Sequence, residues 1–116
     1  MRYLVSTVLI IAVLAGPAWG NSCYEKAISF KTVPHDRPFT ITLEARRVKA
    51  VRDNQMTYDL GKETIVIQAD SFGAQRFLKD VTSSRCSARE TVTLQPERKS
   101  PFNTKFKAID PRARPH

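Results

Sequence analysis

Residues able to do chemistry are few in this sequence, and their spacing brings none of them together. His35 stands in Pro34-His35-Asp36-Arg37-Pro38, and the other histidine, His116, ends the chain. A histidine beside an aspartate has the composition of a general base or a metal ligand. Neighbours in extended chain point to opposite sides, however, and a base needs its orienting partner within hydrogen-bond reach. With proline on both sides, the pentapeptide reads as an exposed turn. Asp53 and Asp59 flank a predicted hairpin and Asp70 follows a predicted strand, so turn and cap roles account for all three before acid–base work does. Ser83, Ser84 and Ser87 surround Cys86 without a Gly-x-Ser-x-Gly elbow, and no glycine-rich phosphate loop is present. Cys23 and Cys86 have neither Cys-x-x-Cys spacing nor a histidine set for zinc. The expectation is a protein without catalytic residues, metal or cofactor.

Basic residues are the richer signal, with 19 Lys and Arg against 11 Asp and Glu, a formal net charge of +8. One cluster is Arg46, Arg47, Lys49 and Arg52, and strand alternation would place Arg47 and Lys49 on one face with Arg46 opposite. A second set is Lys99, Lys105, Lys107, Arg112 and Arg114. Both sets are candidate binding residues for an acidic protein or an anionic envelope polymer, although Glu44 and Asp53 nearby would also suit a plain solvated face. Binding to nucleic acid calls for exposed aromatics interleaved with the charge, and only Phe39 and Tyr58 are close in sequence.

The N-terminus says where these residues work. Arg2, an apolar stretch from Leu4 to Ala15 and then Gly16-Pro17-Ala18-Trp19-Gly20 follow the order of a secretory signal, with small residues at 18 and 20 and cleavage before Asn21. The apolar run is short for a span, and Gly20 stands where a lipobox ahead of Cys23 would need an aliphatic residue. Residues 21–116 would remain, exported to a periplasmic or secreted location, where Cys23 and Cys86 are expected to pair. Closing that loop of roughly 60 residues contributes about 4 kcal/mol in the chain-entropy treatment.

The elements that must position the charges are short strands. Phe39 to Ala45 alternates apolar and polar side chains; Arg46-Arg47 interrupts it, and residues 43–52 read as a long bent strand, with a short helix as the alternative. Arg52 to Gln55 is a turn, after which Met56, Tyr58 and Leu60 alternate, completing a hairpin. Thr64–Ala69 holds the β-branched run Ile65-Val66-Ile67 of a central strand. Gln75–Val81 fits either a short strand or a helical turn, Thr91–Gln95 is a late strand and Tyr24–Val33 a first one. From Pro96 onward four of the seven prolines and six basic residues against two acidic ones describe a tail, with Phe102, Phe106 and Ile109 able to dock it on a sheet edge.

The expected architecture is mainly β, a small antiparallel β-sandwich or open barrel of about six strands stapled by one disulfide. The alternative is α+β, one helix on a four- or five-stranded sheet. The organisation expected is signal peptide 1–20, one β-rich domain 21–95 and a basic tail 96–116. Function is expected to be non-enzymatic binding of another envelope or extracellular macromolecule, in the manner of an inhibitor, chaperone or assembly factor. The rivals are a cationic adhesion module for an anionic polymer or nucleic acid, and a small envelope hydrolase.

Overall fold

Alternation from Phe39 to Leu43 becomes a strand because its odd residues are apolar and its even ones are threonines, so one face is buried and one is wet. In the computed structural model, which describes residues 19–111, this strand is β2 (Phe39–Glu44). The others are β1 (Trp19–Gly20), β3 (Val48–Arg52), β4 (Gln55–Asp59), β5 (Thr64–Ala69), β6 (Arg89–Pro96) and β7 (Lys105–Ile109). One helix, α1 (Phe72–Thr82), lies between β5 and β6. Most of the expected signal segment lies outside the described residues, as do Arg112, Arg114 and His116. No helix among the described residues is long and apolar enough to cross a membrane.

The sheet order is β1-β3-β4-β5-β7-β6-β2, antiparallel except for the parallel pair β5–β7. β2 and β3 sit at opposite ends of the six main strands, yet only Ala45–Arg47, one 3-10 turn, separates them in sequence. A flat sheet cannot satisfy both conditions, so the sheet curls until its two ends meet. The protein is therefore mainly β, a curled six-stranded sheet forming an open barrel, with one helix and one disulfide. With β2 and β3 counted as halves of one bent strand, the path is a five-stranded Greek-key barrel whose helix joins the third and fourth strands, the connectivity of the OB-fold. Residues 43–52 accordingly follow the bent-strand expectation, with a register shift between Val48 and Ala50.

The core fills the barrel with Leu43, Val48, Met56, Tyr58, Leu60, Ile65, Ile67, Val92, Leu94 and Phe106, each at most 1% exposed. Tyr58 meets the cost of burying a hydroxyl by accepting a hydrogen bond from the Glu44 amide at 3.0 Å, and burial pushes its phenol up to about 12. α1 closes the core. Ser71 caps it by accepting from the Ala74 amide at 3.2 Å, and Ala74, Phe77, Leu78 and Val81 bury one stripe. The ambiguous segment Gln75–Val81 thus belongs to a helix of 11 residues, whose cap and stripe outweigh its modest propensity.

Two expectations need correction. Tyr24–Val33 forms no strand; it is a strap over the barrel, held by single bonds such as Glu25 N–H to Arg46 O and Lys31 N–H to Leu60 O. Its apolar residues share no buried face: Val33 reaches the core at 8% exposure, whereas Ile28 is 96% exposed. The boundary drawn after Gln95 also gives way, because β7 lies inside the sheet between β5 and β6 rather than on an edge. Phe106 and Ala108 point into the core while Lys105 and Lys107 point out. In sequence that alternation is only five residues long and sits among prolines, which is why composition outweighed it.

Cys23 and Cys86 form the expected disulfide, with Cα atoms 5.2 Å apart. It ties the strap to the segment after α1. Beside it the Asn21 side-chain amide donates to Ala45 O at 2.7 Å and Val48 O at 2.9 Å, holding the bend between β2 and β3.

Candidate functional site

Strand register decides which polar residues share a surface. Arg52 pairs with Gln55, Gln55 with Gln68, Gln68 with Lys107 and Lys107 with Gln95. Paired residues project to the same side of a sheet, so these five form one row across β3, β4, β5, β7 and β6 on the outer face. At the usual strand spacing of about 4.8 Å the row is about 19 Å long. The adjacent row is Ala50, Thr57, Val66 and Lys105. The first row contains no carboxylate, while the second leads past Lys105 to the exposed Glu97, whose N–H donates to Lys105 O at 3.0 Å. Further round the barrel the face continues as threonine pairs, with Thr42 Oγ1 3.0 Å from Thr91 Oγ1 and Thr40 Oγ1 3.4 Å from Thr93 Oγ1.

The basic residues singled out from sequence separate into three groups. Arg52, Lys105 and Lys107 come together on this outer face, although 53 residues of chain separate Arg52 from Lys105. Lys99 is exposed in the loop joining β6 to β7, and Lys49 is exposed at the irregularity in β3, its Nζ 5.9 Å from the Tyr24 ring centroid. Arg46 is exposed but paired with Glu44 at 3.2 Å. Arg47 is no surface residue at all. It is 4% exposed, and the expected pairing of Arg47 with Lys49 on one face fails because the 3-10 turn rotates Arg47 into the interior.

Arg47 is a structural strut. Its guanidinium donates to Asp59 O at 3.2 Å, to Ser29 O at 3.2 Å and to Ser29 Oγ at 2.7 Å, joining the bend to β4 and the strap. Nε lies 3.4 Å from Glu44 Oε2 as an ion pair but has no hydrogen-bond partner. Glu44 also draws in Lys31, Arg46 and Arg89. Asp59 is similarly occupied: one oxygen accepts from the Tyr24 hydroxyl at 2.8 Å and from the Ala27 amide, the other from the Gly61 amide at 2.8 Å. Burial alone would raise its pKa; these donors outweigh it and hold the carboxyl below the usual range. A carboxylate so stabilised serves the strap and has little basicity for catalysis.

His35 departs from the exposed turn expected of it. Its side chain is 20% exposed, tilted against Phe106 at 6.3 Å, with Nδ1 2.6 Å from Asn103 O and Nε2 3.1 Å from Glu63 Oε2. Both partners are acceptors, so only the imidazolium satisfies both. The Asn103 carbonyl raises its pKa first, burial works against this, and Glu63 adds to the rise. A carboxylate beside a half-buried histidine is the arrangement a hydrolase would need, but both nitrogens are committed to holding the strap against two loops. No ring atom is left to take a proton from a substrate.

The raised pKa fixes a sign. The contribution of His35 to stability is fully present below the unfolded value of about 6.5 and is lost as pH rises through the folded value. Urea midpoints of the native protein and His35→Gln should therefore differ more at about pH 5 than at about pH 9. A gap that widens with pH would mean that the neutral ring is the bound form.

Gln55, Gln68 and Gln95 were not singled out from sequence. Each sits at an outward position of a strand, and that alternation was the available signal, but nothing in a linear chain aligns five strands. Among the described residues no group of three or more His, Cys, Asp or Glu could hold a metal ion. No family model, curated protein or solved structure matches this chain.

Proposed function

We propose that this is an exported, non-enzymatic binding module that takes an acidic macromolecular partner on the outer face of its barrel. The observation that carries it is the row Arg52–Gln55–Gln68–Lys107–Gln95, with Lys105 beside it: cations and amides in register, without a carboxylate. Amide side chains donate and accept, so they can pair with a partner's backbone or polar groups between its charges. Fold analogy adds limited support, since barrels of this connectivity bind oligonucleotides and oligosaccharides on the face of their second and third strands, the positions of β4 and β5 with Gln55 and Gln68. Export is supported by the character of residues 1–20 and by the disulfide.

Poly-glutamate is a defined probe of an extended acidic partner. The native protein should bind it at low salt and lose affinity as salt is added, and Lys105→Glu with Lys107→Glu should weaken binding about tenfold or more. Both lysines are exposed, so the double variant should keep its far-UV circular dichroism and melting temperature. Unchanged binding by the double variant, or equal binding of uncharged poly-glutamine, would remove this face from consideration.

A further inference from the structure

Three of the four large apolar side chains that stand in solvent lie on two segments at one end of the barrel: Ile28 is 96% and Phe30 62% exposed on the strap, and Phe102 is 89% exposed in the β6–β7 loop, whereas Phe72, 87% exposed, begins α1 beyond the other end of β5. Hydrogen bonds hold those segments along one rim of the barrel. Lys31 N–H donates to Leu60 O at 2.8 Å beside the β4–β5 turn, and an added Cβ on Gly61 of that turn would collide with Phe30 and with Ser29 O. The His35 ring then links the same turn, through Glu63, to Asn103, the residue after Phe102, and Asn103 Nδ2 donates back to His35 O at 3.1 Å. β5 and β7 run parallel from this end, which places the β4–β5 turn and the β6–β7 loop next to each other. Cations flank each apolar residue: Lys26 near Ile28, Lys62 with its Nζ 5.9 Å from the Phe30 ring centroid, and Arg98 and Lys99 in the loop of Phe102, all exposed. The acids on these segments are fewer, and two are engaged, Asp36 with Arg37 and Glu63 with His35.

We propose that this rim docks on an anionic lipid surface, with Phe30 and Phe102 entering the headgroup region and the lysines and Arg98 meeting lipid phosphates. The apolar residues are separate points on loops, each beside a long basic side chain. That suits shallow insertion into a deformable interface better than a groove or continuous patch suits a protein partner. Each inserted aromatic and each nearby cation adds a separate increment, so the two kinds of contact can be tested apart. The rim is distinct from the outer-face rows, and the test leaves Lys107 and Arg52 untouched.

The disulfide-bonded protein should cosediment with vesicles of phosphatidylglycerol and phosphatidylcholine at low salt and not with phosphatidylcholine alone. Phe102→Ser and Phe30→Ser should each weaken binding about tenfold, and Lys62→Glu with Lys99→Glu by at least as much. Circular dichroism and the melting temperature of Phe102→Ser should match the native protein, because that side chain is exposed. Absence of binding to the anionic vesicles would overturn the proposal. So would binding that charge reversal abolishes but Phe102→Ser and Phe30→Ser leave unmoved, since that would be adsorption without insertion. Loss of poly-glutamate binding with vesicle binding intact would strike the outer face alone.

Discussion

Replacing Phe106 with alanine should cost about 3–5 kcal/mol, the range for truncating a fully buried aromatic. Phe106 is 1% exposed, with the Phe39 ring edge-on at 5.7 Å and His35 tilted at 6.3 Å. It sits on β7, whose neighbours β5 and β6 have no other pairing to each other, so the cavity cannot close by moving an edge strand. A domain of this size has about 5–15 kcal/mol in total, so the variant should be close to unfolding at physiological temperature. Urea denaturation followed by circular dichroism measures it, with Phe102→Ala, truncating a side chain 89% exposed, as the control expected within about 0.5 kcal/mol of the native protein. A native-like midpoint for Phe106→Ala would return residues 96–116 to the tail that composition suggests. By the same geometry, deletion after Gln95 should prevent folding rather than trim a binding appendage.

Replacing both cysteines with serine should cost about 4 kcal/mol, from the unfolded-chain entropy that closing a loop of this length removes. The bond spans a sequence separation of 63 residues and joins the strap to the segment after α1. Near Cys23 the strap is held by scattered hydrogen bonds, from Asn21 to the β2–β3 bend, from Tyr24 to Asp59 and from Glu25 to Arg46. Each is worth about 1 kcal/mol net, so without the staple the strap should open before the barrel does. The expected result is a melting temperature lower by more than about 15 °C in the double variant and in the reduced native protein alike. Equal melting of oxidised and reduced protein would mean that the pair does not form. Loss of the strap would also release Ser29, leaving Arg47 without two of its acceptors.

Much of the barrel was legible in the chain because its period-2 signals are local. The threonines of β2, the β-branched run of β5 and the turn at Asp53-Asn54, where Asp53 adopts a φ of 54°, each carry their own evidence. The disulfide followed from arithmetic, since two cysteines allow one intramolecular pairing. Three segments misled. Tyr24–Val33 has strand-like apolar residues, but it crosses the barrel on single hydrogen bonds and pairs with no strand. Arg47 alternates with surface positions but is turned inward by a single 3-10 turn. Lys105–Ile109 has the pattern of a strand but too few residues to stand out against its prolines.

What the sequence determined by itself was therefore the strands with a local signal, β2 to β6, together with the staple and the excess of cations, all properties of composition or short-range pattern. Which cations share a surface was decided only by tertiary structure. Arg52 and Lys107 share a row because β7 enters the sheet between β5 and β6, a long-range pairing with no local signature. Arg47 leaves that surface, and His35 becomes a clasp between Asn103 and Glu63, because each lies where separate segments converge. Position along the chain sets a residue's type and its local alternation, but its neighbours are set by which distant strands pair.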